Sequence, residues 1–321
     1  MERLSSYTHD ALFFASPAEL VESAVPFLTA GLDAGQEAVL VCSDAHNRAI
    51  AQAVESSLGR HPRITYLSQS DIYLHAPSAI AEYRRFMQSR SGVGAPGVRL
   101  VGEVAFGDDE RTWQEWTRFE AMCNVALHPY PLWSMCAYDL SALSPAVIRA
   151  GRLTHPHLHD GGNRSPNGEY VDPAELLRLV GDPALTAPVP EVPAVRVDPV
   201  AGLRQVREEV RDYLERLGAA EDVTDEMVLA ASEVTANALR HGTAPVSVRL
   251  WRVDGSVVCS VTDQGPGFED PFAGFVPGGG THDLPEARMG LCLVRSLCDD
   301  LVHERTEDGF RVMFSRRLGG S

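Results

Sequence analysis

Glu233, Asn237 and His241 recur every four residues in an otherwise apolar run, Glu233-Val-Thr-Ala-Asn-Ala-Leu-Arg-His-Gly242. Residues four apart share one helix face, so this spacing lays a carboxylate, a carboxamide and an imidazole in one polar stripe. Val234, Ala238 and Leu239 pack beneath it. Polar groups are costly to bury without partners, so such a stripe turns to a ligand or to solvent. A carboxylate can act as a general base, and a carboxamide oxygen suits a hard cation that keeps most of its waters. By itself a Glu-x-x-x-Asn pair is usually a solvated face. Two further elements downstream change that reading: Val261-Thr-Asp263-Gln-Gly265-Pro-Gly267-Phe268, then Arg288-Met-Gly290-Leu291.

These motifs, in this order over roughly Val197 to Leu318, resemble the GHKL ATP-binding fold of gyrases, histidine kinases and MutL, and within it the anti-sigma-factor serine kinases. The resemblance implies ATP and Mg²⁺ as cofactors and assigns roles accordingly. Asn237 would hold Mg²⁺ and Glu233 would be the catalytic base. Asp263, at a strand end, would accept a hydrogen bond from the adenine amino group. Gly265 and Gly267 would let the backbone approach the base closely. Gly290-Leu291 would open a helix whose free N–H groups hold phosphate oxygens. Asp270 to Ala287, with Gly278-Gly-Gly280 and Pro271, Pro277 and Pro285, reads as the nucleotide lid. Arg288 stands two places before Gly290, where the family carries glycine, and is a candidate γ-phosphate contact. His241 either touches ligand or caps the helix end.

The elements that must position these groups fall into two domains, the better expectation for 321 residues. With 44% hydrophobic and 22% charged residues the chain reads as soluble and globular. No apolar run reaches the roughly 18 residues of a membrane span. Met1-Glu-Arg-Leu-Ser-Ser-Tyr lacks the features of a signal peptide, so a cytoplasmic location is expected. Cys42, Cys123, Cys136, Cys259, Cys292 and Cys298 form no CxxC pair and read as free thiols, most of them in apolar settings. A net charge of −16 argues against binding nucleic acid.

In the first half, short apolar runs at Asp10–Phe14, Glu37–Cys42, Ile64–Leu67, Val98–Val101 and Leu132–Tyr138 alternate with helical segments. That alternation predicts an α/β domain with a mainly parallel sheet over 1–159. Ser16-Pro-Ala-Glu19 is a helix start with its cap. Breakers at Gly161–Gly168 and prolines at 188, 190 and 193 place a linker with a short helix over 160–197. From 198 to 321 two helices, hairpin-linked strands and a further helix predict an α+β sandwich of the Bergerat (GHKL) type. Its motif helix runs from Thr224, as cap, to His241. A last hairpin turns at Glu307-Asp-Gly309.

His9-Asp-Ala-Leu-Phe-Phe14, Val98–Glu103, Phe119-Glu120-Ala-Met-Cys-Asn124, Cys136-Ala-Tyr138-Asp139 and Thr154-His-Pro156 resemble the MEDS sensory domain, which is distantly similar to RecA-like ATPases. No G-x-x-x-x-G-K-[ST] loop is present, so hydrolysis of ATP by this half is not expected. His9, Glu103, Glu120, Asn124, Tyr138 and Asp139 are pocket candidates for an unknown small molecule, or else an internal polar network. Ligands gather at the carboxyl ends of strands in such sheets, which favours Glu103 and Asp139. His155-Pro-His-Leu-His-Asp160 has the look of a metal tract, but its later members run into the expected linker.

The expected function is a signalling regulator whose sensory domain controls an ATP-dependent serine/threonine kinase. The resemblance implies an anti-anti-sigma (STAS-type) acceptor or a bound sigma factor as partner; a homodimer is compatible. A sensor histidine kinase is one alternative, although Asp198 to Glu233 contains no histidine to accept a phosphoryl group. An ATP-gated adaptor without phosphotransfer is the other.

Overall fold

The computed structural model describes residues 4–73, 76–90, 97–104, 106–107, 110–160, 163–180, 185, 192–197, 202–275, 285–307 and 309–318. The chain divides into two compact units, Met1–Val180 and Gly181–Ser321.

The first unit alternates strand and helix. Its elements begin with β1 (Thr8–Phe14), α1 (Pro17–Asp33), β2 (Glu37–Val41), α2 (Asp44–Leu58), β3 (Ile64–Tyr66), α3 (Gln69–Ile72) and α4 (Ala76–Gln88). They continue with β4 (Val98–Gly102), α5 (Glu110–Ala126), β5 (Leu132–Asp139), α6 (Pro145–Thr154), β6 (His157–Asp160), β7 (Asn163–Pro166) and α7 (Pro173–Val180). The sheet order is β3-β2-β4-β5-β1-β6-β7, and every pair is parallel except β6–β7. The central strands β1, β4 and β5 are buried along most of their length, as a parallel sheet with helix-covered faces requires, and β1 and β5 carry buried polar groups among their apolar ones. Local chemistry starts the helices as expected. Ser16 accepts the Glu19 N–H, while Glu19 Oε2 accepts the Ala15 N–H at 2.8 Å. Ser43 and Ser144 cap α2 and α6 in the same way.

The expected linker is narrower in the structure. β7 returns as a hairpin onto β6, and α7 packs against α5 and α6 with Leu176 buried, so residues 163–180 belong to the first unit. At the other end, Val195-Arg196 pairs with a strand of the second unit.

The second unit comprises β8 (Val195–Arg196), α8 (Gly202–Arg216), α9 (Glu221–His241), β9 (Ser247–Val253), β10 (Ser256–Asp263), α10 (Pro285–Leu297), β11 (Asp300–Thr306) and β12 (Gly309–Arg317). Its sheet, β11-β12-β10-β9-β8, is antiparallel throughout. Period-2 alternation sends Val257, Cys259, Val261, Val312 and Phe314 into one core with Val206, Val210, Leu214, Met227, Val234 and Val294 from the helices. Val258, Val302 and Met313 pack with Trp251, Leu185 and Val192 in a separate, smaller cluster.

Two boundaries differ from expectation. α9 starts at Glu221, not Thr224. Thr224 lies inside its first turn, where its hydroxyl donates to the Ala220 carbonyl and so is not free to cap. Glu221 and Asp222 supply the charge that favours that end instead. Gly290 and Leu291 do not open α10, which begins at Pro285. An N–H this far in is in reach of the carbonyl four residues back and is committed to the helix. Of the expected lid, 276–284 lies outside the described residues, as does the side chain of Arg288.

Candidate functional site

In the second unit α9 crosses the end of β10, and a cavity of about 140 Å³ opens between them. Asn237, His241, Gly242, Asp263 and Gly267 supply its polar and backbone lining; Val234, Ala238, Phe268, Leu291 and Phe310 supply its apolar wall. The size and the mix of an apolar slot with a few polar groups fit a flat heterocycle better than a large apolar ligand.

Asp263 closes β10 and is buried. Its Oδ1 accepts the Gly265 N–H at 2.6 Å and the Thr243 N–H at 3.1 Å. These charge-assisted bonds tie the turn after β10 to the segment after α9. They leave Oδ2 as the oxygen available to a ligand. Gly242 lies so close that a Cβ there would fall 2.4 Å from Asp263 Cγ. Gly267 has φ +64°, and its Cβ would fall 2.0 Å from Phe310 Cδ2. Glycine is therefore required at this turn both by conformation and by space.

Glu233 and Asn237 are half-buried on one face of α9. A Cβ on Gly290 would stand 3.0 Å from Glu233 Oε2 and 3.1 Å from Asn237 Nδ2. The structure thus brings the first and third motifs into contact, with the second motif at the other end of the same cavity. Leu291 is buried apolar lining rather than a backbone donor. His241 is exposed at the end of α9 and lines the rim. The apolar contributors Phe268 and Phe310, with ring centroids 4.9 Å apart, were not singled out from sequence. The position of Phe268, directly after Gly267, was the available signal.

The first unit separates its six candidates into two places. His9 on β1, Glu120 and Asn124 on α5, and Tyr138 on β5 converge in the interior with Cys136 and His155. Burial holds His9 down at about 4, against the pull of Asn124 and Asp10. Burial, with His9 alongside, holds His155 down at about 3 although Glu120 opposes it. Burial pushes Glu120 up to about 7, tempered by His155, Cys136 and Tyr138 beside it. The imidazoles are neutral at pH 7, so their approaches to Glu120 are not ion pairs. A cavity of about 20 Å³, room for one water, abuts His9, Glu120 and Cys136.

Glu103 and Asp139 lie elsewhere, at the carboxyl ends of β4 and β5. Glu103 pairs with His46 at 2.7 Å and accepts the Ser43 N–H at 2.9 Å. Asp139 accepts from the backbone and hydroxyl of Ser141. An open polar crevice at the ends of β2 and β3 is lined by Ser43, Asp44, Asn47 and Gln69.

The apparent metal tract is divided by the fold. β6 pairs with β1 in a register that sets His157 opposite Asp10 and His159 opposite Leu12. The buried Asp10 Oδ2 then accepts from His159 at 3.0 Å, Arg164 Nε at 2.7 Å and Trp133 Nε1 at 2.7 Å. His155 alone turns to His9. The neighbouring histidines serve Asp10 and fasten the β6–β7 hairpin to the sheet.

Residues 8–156 match the MEDS family, the methanogen/methylotroph DcmR sensory domain, and residues 197–316 match the histidine kinase-like ATPase domain. Among solved structures the chain is similar to the RsbU and RsbW domains of a Mycobacterium tuberculosis protein, with 24% identity and a TM-score of 0.30. That match covers 41% of this chain and 33% of the other, so this chain spans about a third of that protein. It is also similar to the mycobacterial sensor histidine kinase MprB, at 18% identity and a TM-score of 0.26, over 40% of this chain and 99% of that one. For the Acinetobacter baumannii histidine kinase AdeS the values are 11% and 0.27, over 46% and 74%. No curated protein matches the chain. Among the described residues no helix is long and apolar enough to cross a membrane. The chain thus carries a MEDS domain over residues 8–156 joined to a histidine kinase-like ATPase domain over residues 197–316.

Proposed function

We propose that the second unit binds ATP with Mg²⁺ and transfers its γ-phosphoryl group to a serine or threonine of an anti-anti-sigma partner. The first unit would set that activity in response to a small molecule, and a sigma factor would be the protein released or held. The observation that carries this reading is the placement of Glu233 beside Asn237 on α9, both against Gly290, with Asn237 lining the cavity that Asp263 also lines.

Adenine fits the apolar slot with its amino group toward Asp263 Oδ2. The Asn237 carboxamide offers the neutral oxygen that a hard cation takes alongside its waters. Bound there, Mg²⁺ would neutralise charge on the β- and γ-phosphates. Glu233 takes the proton of the acceptor hydroxyl as that oxygen bonds to the γ-phosphorus. The bond from the γ-phosphorus to the β–γ bridging oxygen breaks, and ADP leaves with the electron pair. Asp198 to Glu233 lacks histidine, which favours an acceptor on another protein over self-phosphorylation.

The test is incubation of the full chain with labelled ATP and Mg²⁺, alone and with a STAS-type partner. Acid-stable label on the partner, reduced at least 100-fold by Glu233→Gln, is the expected result, since a general base contributes about 10²–10⁴ in rate. Acid-labile label on the chain itself would overturn it in favour of a histidine kinase. ATP binding without transfer to any acceptor would leave the adaptor reading.

A further inference from the structure

The interior cluster of the first unit is arranged for a metal ion. Four potential ligand atoms from four elements meet there: His9 from β1, Glu120 from α5, Cys136 from β5, and His155 just past α6. They all lie within 4.8 Å of one another, and all four residues are buried. His9 Nε2 stands 3.3 Å from Cys136 Sγ and 3.1 Å from Glu120 Oε2, and His155 Nε2 stands 3.5 Å from Glu120 Oε2. Tetrahedral zinc with N, O and S ligands at their usual bond lengths requires ligand–ligand separations of about 3.3–3.7 Å.

The hydrogen bonds around the cluster decide which atoms point inward. Asn124 Nδ2 donates to the Thr154 carbonyl at 2.8 Å, so its Oδ1 is the atom that meets His9 Nδ1 at 3.2 Å. His9 must carry its proton on Nδ1 and present a bare Nε2. His155 Nδ1 lies 2.8 Å from the Gly151 carbonyl, which can only accept, so this ring also presents a bare Nε2. Metal-bound histidines are oriented in this way by a carbonyl behind the ring. Two nitrogen lone pairs therefore converge on a carboxylate and a sulfur. Among the described residues, His155 Nε2 and both Glu120 oxygens make no hydrogen bond of ordinary geometry, although each is inaccessible to solvent and Cys136 and Tyr138 stand beside Glu120. Unpaired buried acceptors facing one another are costly, and one cation would satisfy all of them.

We infer that His9, Glu120, Cys136 and His155 form a four-coordinate site for a divalent transition metal of the zinc class. The ligand set of two imidazoles, a thiolate and a carboxylate suits zinc by softness and geometry. The charge also closes: two neutral imidazoles, one thiolate and one carboxylate around M²⁺ leave no net charge in the interior. Binding releases the thiol proton and any proton on Glu120. The site ties β1, β5, α5 and the end of α6 together, and its ligands lie in four of the segments that make the chain resemble its sensory family.

The full chain, stripped with chelator and then titrated with Zn²⁺ or Co²⁺ alone, tests the site without reference to ATP. The expected result is one equivalent of metal per chain. The Co²⁺ form should show the intense visible bands of tetrahedral cobalt and a sulfur-to-metal charge-transfer band. Cys136→Ser should remove the charge-transfer band and weaken binding at least tenfold, whereas Cys123→Ser, at a buried thiol outside the four, should leave both unchanged. Asn124→Ala should weaken binding about 10–100-fold, the usual effect of losing such an orienting group. Less than a tenth of an equivalent bound by folded wild-type chain overturns the proposal. So does octahedral cobalt, which would assign the metal to surface histidines, or a charge-transfer band that survives Cys136→Ser, which would assign it to another thiol. The wild-type stoichiometry and spectrum decide even if a variant fails to fold, and loss of ATP binding would bear only on the other unit.

Discussion

Asp263→Asn separates the structural role of that residue from its proposed role in recognising adenine. The two N–H groups of Gly265 and Thr243 both end on Oδ1. In the variant they force the carboxamide to keep its oxygen inward, so the new NH₂ must take the place of Oδ2. Within the fold, two bonds to a charged acceptor become bonds to a neutral one. Each falls from about 1.5–3 to about 0.5–1.5 kcal/mol, so the second unit should lose about 1–3 kcal/mol and remain folded. At the ligand the change is larger in kind. The adenine amino group would meet a donor in place of a carboxylate, losing about 1.5–3 kcal/mol, or roughly 10–150-fold in Kd for ATP. The 6-oxo group of guanine can accept from the same NH₂, so GTP should gain and the preference for ATP should narrow or invert. Isothermal titration of both nucleotides against wild type and variant, with melting curves as the control for folding, reads each quantity separately. A folded variant whose ATP affinity stays within threefold of wild type, with GTP unmoved, would refute the assignment of adenine to this end of the cavity.

Two further substitutions probe the scaffold. Gly267→Val places a β-branched side chain at φ +64° with its Cβ 2.0 Å from the Phe310 ring; a loss of about 3 kcal/mol or more, read as a lowered melting temperature of the second unit, is expected. Asp10 governs acid stability in the first unit. Burial alone would raise its pKa, but bonds from His159, Arg164 and Trp133, with the Arg164 charge, outweigh it and hold the carboxyl at about 2. A depressed folded pKa gives stability that is full above the unfolded value near 3.8 and is lost as pH falls through about 2, amounting to roughly 2 kcal/mol. Urea unfolding followed by Trp fluorescence between pH 5 and 2 should show this loss in wild type. In Asp10→Asn the slope should be flatter and the stability at pH 7 lower; an unchanged slope would discard the account.

Period and spacing by themselves made much of this architecture readable. The apolar runs of the first half could only be buried strands alternating with helices, and serine at Ser16 announced a helix because its hydroxyl can satisfy an end N–H that nothing else would. The four-residue step from Glu233 to Asn237 needed only helical geometry to become one face. Other features depend on contacts between distant residues. Asn163–Pro166 reads as loop from its composition; it becomes a strand by pairing with β6, where Arg164 reaches Asp10, 154 residues earlier. Gly290 looked like a helix start, and its position inside α10 follows from where Pro285 begins the turn. The clearest case is His155. In sequence it stands beside His157 and His159, and those neighbours suggested a shared role. Strand pairing gives the neighbours to Asp10, and only the packing of α5 and α6 on the sheet brings His155 to His9, Glu120 and Cys136. Local patterns determined which elements form and which residues share a face. Which buried polar groups meet was decided by tertiary structure, because the partners that satisfy them lie on elements that touch only once the sheet has assembled and the helices have packed on it.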